Sequence, residues 1–173
     1  MRRWVLPLIV GLVLAFASYR LVLVQFPRIL MSLAINRVST AAGFNAMTAA
    51  PMANDKARAI VRPSPDLAYS SCPFDLSNGP VFVDVEPVPA AYWSLSVFDA
   101  RTDVAFVRNN IEAAGKPIRI AIAQPDQPVP DGMQAVRVNG SSGIALLRIL
   151  VQDRTTFAAI DAARHKSSCS PLS

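Results

Sequence analysis

The stretch YWSLSVFD, residues 92–99, alternates apolar and polar side chains with the period of two that is typical of a β-strand. Trp93, Leu95 and Val97 point to one side of such a strand, and the intervening serines point to the other. The alternation therefore predicts that Trp93 lies in a hydrophobic core, and that its neighbour Tyr92 lies at the surface.

The same pattern continues on both sides of this stretch. VFVDV (81–85) precedes it, and TDVAFV (102–107), PIRIAIA (117–123) and QAVRVNG (134–140) follow it, separated by turns rich in Pro, Gly and Asn. IALLRILV (144–151) is apolar on both faces and predicts a central strand. Helical patterns occur only at the two ends of the chain. The order of elements predicts a mainly β fold, an antiparallel β-sandwich or a partly open barrel with flanking helices.

The amino-terminal segment predicts one transmembrane helix in front of this fold. The chain is apolar from Trp4 to Phe26, interrupted mainly by Arg20, and about 20 residues suffice to cross the hydrocarbon core of a bilayer. We therefore divide the chain into a membrane anchor or signal segment (1–27), a juxtamembrane helix and connector (28–60), and a β-sandwich domain with a carboxyl-terminal helix (61–173).

A cleaved signal peptide is the alternative interpretation of residues 1–27. Arg2 and Arg3 would form its charged region, and Ala15-Phe16-Ala17 resembles a cleavage site. Renewed hydrophobicity in LVLVQF, directly afterwards, favours an uncleaved anchor. Either interpretation places the domain outside the cytoplasm, and the arginines before Trp4 favour an amino terminus on the cytoplasmic side.

The net charge of +5 does not indicate nucleic-acid binding. Five of the 17 basic residues lie before Val38, where there is no acidic residue, and the other 12 are balanced by the 12 acidic residues of the chain. A nucleic-acid-binding domain needs its basic residues clustered on the folded unit. Here the excess positive charge belongs to the segment that would lie beside lipid headgroups.

The two cysteines, Cys72 and Cys169, can form one disulfide in an oxidising compartment, or remain two free thiols. No Cys or His spacing indicates a metal site, and no cofactor is predicted. His165 is the single histidine. It follows a basic helix end, so we interpret it as a solvated or capping residue rather than as the base of a catalytic triad.

Three blocks occur in an order that resembles the bacterial family known as domain of unknown function 1254. They are RPSPDLAYSSCPFDLSNGPVFVDV, AAYWSLSVFDARTDVAFV and GIALLRILVQDRTTFAAIDAARH, and the likeness covers residues 61–166. The positions that match the family pattern are Pro65, Asp66, Tyr69, Ser70, Asp75, Leu76, Gly79, Pro80, Tyr92, Ser94, Asp99 and Arg148. Ser64, Leu67 and Ala91 depart from it, standing where Asn, Thr and Arg are usual.

Asp66, Tyr69, Tyr92, Trp93 and Arg148 are the candidate residues of a binding pocket, Arg148 through the resemblance alone. An Asp66/Tyr69 pair has the chemistry of an acid and a base, which leaves an enzyme or enzyme subunit open as an alternative. The simpler interpretation is that Asp66 caps nearby backbone and Tyr69 anchors its loop.

The resemblance also implies a context. Longer members of the family join this domain to a second β-domain, so a short, anchored member is expected to work beside a companion β-domain protein of the cell envelope. We therefore expect a single-pass protein of the inner membrane with its domain in the periplasm, or a binding protein secreted to the periplasm after signal cleavage. The expected partners are the lipid bilayer and this companion.

Overall fold

The computed structural model describes residues 2–54 and 63–172, apart from the side chains of Arg2, Ala41 and Ala42. Residues 55–60 of the predicted connector, and the first two residues of the predicted domain, lie outside the described residues.

Nine strands, three α-helices and one 3-10 turn lie in the described residues. In chain order they are α1 (Arg2–Ala42), β1 (Thr48–Ala49), β2 (Leu67–Asp75), β3 (Val81–Val85), β4 (Trp93–Asp99), β5 (Val104–Asn109), α2 (Asn110–Ala113), β6 (Ile118–Ala123), β7 (Ala135–Arg137), β8 (Ser142–Leu150), the 3-10 turn (Arg154–Thr156), α3 (Phe157–Arg164) and β9 (Ser168–Pro171). We call the sheet with the order β1-β2-β8-β4-β5 sheet A, and the sheet with the order β7-β6-β3-β9 sheet B.

The two sheets pack around one shared hydrophobic core. Alternate residues of each strand enter it, as the period of two predicts. Sheet A contributes Trp93, Leu95, Val97, Ala145, Leu147 and Ile149, and sheet B contributes Val81, Val83, Val85, Ile118, Ile120 and Ile122. The predicted mainly β fold with flanking helices is confirmed, and the sheets do not close into a barrel.

Two features of sheet B differ from the sequence-based expectation. Strand β7 pairs with β6 in parallel rather than antiparallel fashion, because the proline-rich loop 124–134 is long enough to return the chain in the same direction. Strand β9 follows α3 and pairs with β3. Its sequence SCSP lacks the apolar alternation that identifies a strand, so only its place beside β3 makes it one.

The central position predicted for residues 144–151 is confirmed, since β8 lies between β2 and β4. Its inner face enters the shared core. On its outer face, Ile144 packs with Met31 and Ile35 of α1, and Leu146 is partly buried against this cluster. The last turns of α1 therefore form part of the domain.

Helix α1 is continuous through the predicted boundary at residues 27 and 28. The large apolar side chains between Trp4 and Phe26 are exposed. Within Arg3–Thr40, a stretch of 18 residues has a mean hydropathy of 2.1, and none of its residues is buried in the protein. At 1.5 Å per residue, the 41-residue helix is about 60 Å long, roughly twice the thickness of a hydrocarbon core. One helix is thus long and apolar enough to be an anchor or signal sequence, while its end packs on sheet A.

A disulfide joins the two sheets. Cys72 of β2 is bonded to Cys169 of β9, with Cα atoms 6.3 Å apart and a separation of 97 residues in sequence. Because the bond connects an inner strand of sheet A to the edge of sheet B, it attaches the polar carboxyl-terminal strand to the core.

Removal of this bond should destabilise the domain. Replacing both cysteines by serine is expected to lower the free energy of unfolding by about 4 kcal/mol, because a long loop in the unfolded chain is no longer closed. Guanidinium unfolding of the full chain in detergent, with and without reductant, measures the effect. Identical midpoints for the oxidised wild type and the double variant would contradict it.

Candidate functional site

A row of polar residues crosses the outer face of sheet A, the face that points away from the core. The strand register places Tyr69 of β2 opposite Arg148 of β8, Arg148 opposite Ser94 of β4, and Ser94 opposite Asn109 of β5. Directly paired residues on one face lie within side-chain contact distance. Four strands from distant parts of the chain therefore supply one polar row, centred on Arg148.

The guanidinium of Arg148 has unused hydrogen-bonding capacity. Its Nη2 donates to Ser96 Oγ at 3.0 Å. Its Nε is buried and has no hydrogen-bond partner in the described part of the chain, and the same holds for Ser94 Oγ. No carboxylate among residues 2–54 and 63–172 forms an ion pair with Arg148. A half-buried cation with free donors is suited to receive an anionic group from outside.

An apolar cleft of about 520 Å³ adjoins this row. Its walls are the last turns of α1, the segment that follows β1, and the outer face of sheet A. Tyr69 and Ser71 line its polar side, and Arg37 is the cation among its lining residues. The apolar lining residues include Met31, Ala34, Val38, Met52, Phe98, Ile144 and Leu146. The outer face of sheet A thus combines a polar row with an apolar depression.

The structure separates the predicted pocket residues. Tyr69 and Arg148 are neighbours in the row, and Tyr92, 39% exposed, lies just beyond it, where its carbonyl oxygen accepts a hydrogen bond from the Leu150 N–H. Trp93 is 2% exposed and points into the core, as the alternation predicts. It therefore lies on the opposite face of the sheet from Arg148.

Asp66 lies in the turn before β2, with its side chain exposed. Its carboxylate makes no hydrogen bond to the residues that the structure describes, whereas its backbone carbonyl accepts a hydrogen bond from the Val151 N–H. Tyr69 does anchor this loop, because its hydroxyl accepts a hydrogen bond from the Ser64 N–H at 3.1 Å. The loop is held by Tyr69 and by the Ser64 hydroxyl, which accepts from the Asp66 N–H at 3.4 Å.

The titratable groups do not form a reactive pair at this face. His165 is exposed on α3, with Nδ1 2.7 Å from the carbonyl oxygen of Asp161. The pKa of Asp153 is lowered because its carboxylate, which caps the 3-10 turn, accepts a hydrogen bond from the Thr155 N–H. Among the described residues no group of three His, Cys, Asp or Glu side chains could hold a metal ion.

Two sets of residues at this site have roles that the sequence did not indicate. Ser94 and Ser96 are fully buried although they face away from the core. Arg164, the last residue of α3, is 3% exposed, pairs with Asp161, and donates from Nη1 to the Tyr69 carbonyl oxygen at 2.7 Å. The spacing of Asp161 and Arg164 by three residues was the available signal for that pair.

The family comparison agrees with the order of blocks along the chain. The family model described as "Protein of unknown function (DUF1254)" matches residues 44–171. The chain belongs to the DUF1254 family. The match covers every strand of both sheets, and it begins just after α1, so the long apolar helix lies in front of the DUF1254 region. Among curated proteins, none matches this sequence.

Two solved structures share the fold of this DUF1254 chain. The VPA0106 protein from Vibrio parahaemolyticus is 15% identical, with a TM-score of 0.65 over 87% of this chain and 37% of its own. An uncharacterised protein from Burkholderia cenocepacia is 16% identical, with a TM-score of 0.53 over 83% of this chain and 39% of its own. The DUF1254 chain therefore spans less than two fifths of either neighbour.

The Tyr69 hydroxyl offers a test of the loop anchor in this DUF1254 domain. Tyr69→Phe removes the acceptor of the Ser64 N–H and is expected to lower the free energy of unfolding by about 1 kcal/mol. Urea unfolding of the full chain in detergent measures the difference. Tyr19→Phe, in the exposed part of α1, is the matched control and should leave the midpoint unchanged. Equal midpoints for all three proteins would show that the hydrogen bond does not hold the loop.

Proposed function

We propose that this protein is a membrane-anchored interaction module whose domain lies in the periplasm and binds a companion β-domain protein of the cell envelope. The observation that carries the proposal is the outer face of sheet A, where Arg148 has no acidic partner in the described residues and the edge strand β5 carries exposed apolar side chains. Anchoring and companion binding are supported by separate features.

Anchoring is supported by the division of α1 into two parts. The part from Trp4 to Phe26 leaves its apolar side chains exposed to solvent, which is unfavourable in water and favourable in lipid. The following turns bury Met31 and Ile35 on sheet A. A helix that continues from lipid into the domain would hold the domain close to the bilayer. The arginines that precede Trp4 support a cytoplasmic amino terminus, and hence a periplasmic domain.

A companion is supported by the size of the structural neighbours. Both solved structures contain this fold as less than two fifths of a longer chain. The rest of each neighbour lies outside the shared fold. By analogy we propose that a companion protein packs against the fold here, which requires an exposed surface able to form an interface.

The surface that we assign to the companion extends from Arg148 to the edge strand β5. Val107 is 52% exposed and Ile111, in the following helix, is 78% exposed. Val104 and Tyr92 add further exposed apolar area. Clustered exposed apolar side chains mark interaction sites, and Arg and Tyr are enriched among residues that dominate binding energy. Strand β5 is the last strand of sheet A, and among the described residues no further strand pairs with its outer edge. We call this surface the β5 face.

The chemistry of the β5 face specifies what the companion should present. Arg148 would receive a carboxylate, because a planar guanidinium pairs with a carboxylate through parallel hydrogen bonds. Val107 and Ile111 would be covered by apolar side chains from the same partner. A companion segment of strand conformation, adding to β5, would satisfy both requirements.

Co-purification from bacterial membranes tests the proposal. Tagged wild type is expected to retain the companion through detergent washes, whereas Arg148→Gln should reduce the recovered amount about tenfold or more, since an interface residue of this kind is worth roughly 2 kcal/mol. Val107→Glu, which places a charge on the edge strand, should reduce recovery as well. The measurement is the ratio of companion to bait by quantitative mass spectrometry.

Arg154→Gln is the matched control, because Arg154 is exposed and lies in the 3-10 turn before α3. It should recover as much companion as the wild type. Thermal unfolding of each variant verifies that the domain is intact. If Arg148→Gln and Val107→Glu fold normally and recover the companion in full, the β5 face is not the binding surface.

A further inference from the structure

A second depression lies at the other end of β8, where α1 meets the domain. It has a volume of about 260 Å³ and lies between α1 and two turns, the β4–β5 turn and the turn before β8. Arg28 of α1 and Arg101 of the β4–β5 turn are the charged residues that line it. The other lining residues are Met31, Ser32, Ile35, Ala100, Asn139, Gly140 and Ser142. We call it the juxtamembrane pocket.

The position of Arg28 along α1 places this pocket at the level of lipid headgroups. The apolar run that begins at Trp4 ends at Phe26, two residues before Arg28, and exposed apolar side chains occur again beyond it at Ile29, Leu30 and Leu33. Two residues correspond to about 3 Å along a helix axis. If the span from Trp4 to Phe26 occupies the hydrocarbon core, Arg28 lies in the adjacent headgroup layer. Arg101 shares the pocket with Arg28 and therefore lies at the same level.

The two arginines are available for an anion. Neither forms an ion pair with a carboxylate in the described residues. Asp99 and Asp103 each lie two residues from Arg101 in sequence. Asp99 is 2% exposed, and its carboxylate accepts hydrogen bonds from the N–H groups of Arg101 and Asp103, at 2.7 and 3.0 Å. Asp103 is exposed to solvent. No acidic side chain is among the residues that line the pocket.

We propose that the juxtamembrane pocket binds the phosphate of an anionic phospholipid, with Arg28 and Arg101 as its ligands. Guanidinium groups bind phosphate oxygens through paired hydrogen bonds. The Ser142 hydroxyl and the Asn139 amide are further donors in the pocket lining. The bound headgroup would fix the orientation of the domain on the bilayer. The inference rests on the anchoring part of the proposed function, and it is independent of the companion.

The test uses the full chain, purified in detergent and mixed with equal amounts of phosphatidylglycerol and phosphatidylcholine. Native mass spectrometry counts the lipids that remain bound. The wild type is expected to retain phosphatidylglycerol in preference to phosphatidylcholine. Arg101→Gln should reduce this preference about fivefold, the effect of one cation near a lipid surface. Because Arg101 lies in a turn of the domain, this variant leaves the helix and its topology signals unchanged.

Arg154→Gln again serves as the control and should keep the wild-type preference. Equal retention of the two lipids by the wild type, or an unchanged preference in a folded Arg101→Gln variant, would overturn the inference. Retention of inorganic phosphate by the wild type, together with equal retention of the two lipids, would identify a soluble phosphate as the ligand and would overturn the lipid assignment.

Membrane sedimentation of the same variants keeps the two proposals apart. A wild-type chain that stays in the soluble fraction would overturn both the anchor and the pocket. A chain that sediments with membranes but shows no lipid preference would overturn the pocket alone.

Discussion

Burial of both faces of β8 is the constraint on which the architecture depends. The inner face contributes Ala145, Leu147 and Ile149 to the core shared by the two sheets. The outer face carries Ile144 and Leu146, which are also apolar and need a second cover. The last turns of α1 provide that cover through Met31 and Ile35. The helix that emerges from the apolar amino-terminal segment is therefore a structural layer of the domain as well as a connection to it.

The same strand separates two surfaces of different chemistry. Its outer face changes from apolar at Ile144 and Leu146 to cationic at Arg148, and the cover by α1 is confined to the apolar part. Its first residue, Ser142, lines the juxtamembrane pocket. Six residues of strand separate Ser142 from Arg148, a distance of about 20 Å. The proposed lipid site and the proposed companion site are therefore far enough apart to be occupied at the same time.

Much of this arrangement could be predicted from local pattern, although its details could not. Alternation in residues 92–99 identified Trp93 as a core residue and Tyr92 as a surface residue, because side-chain direction in a strand depends only on the period. The burial of Ser94 and Ser96 depends on what lies over the sheet, and no local pattern encodes that. The contact of Arg164 with the Tyr69 carbonyl joins residues 95 positions apart. The basic pattern at the helix end therefore did not indicate that Arg164 is buried and has a structural role.

The sequence by itself determined the location of the strands, the two-sided burial of β8, the apolar helix at the amino terminus and the family, because each is encoded in neighbouring residues. Only the tertiary structure decided the parallel pairing of β7, the strand made from residues 168–171, and the row that places Tyr69, Arg148 and Ser94 side by side. Those features arise from the register between strands distant in sequence. Register is set by which buried faces pack together, a property of the whole core rather than of any one segment.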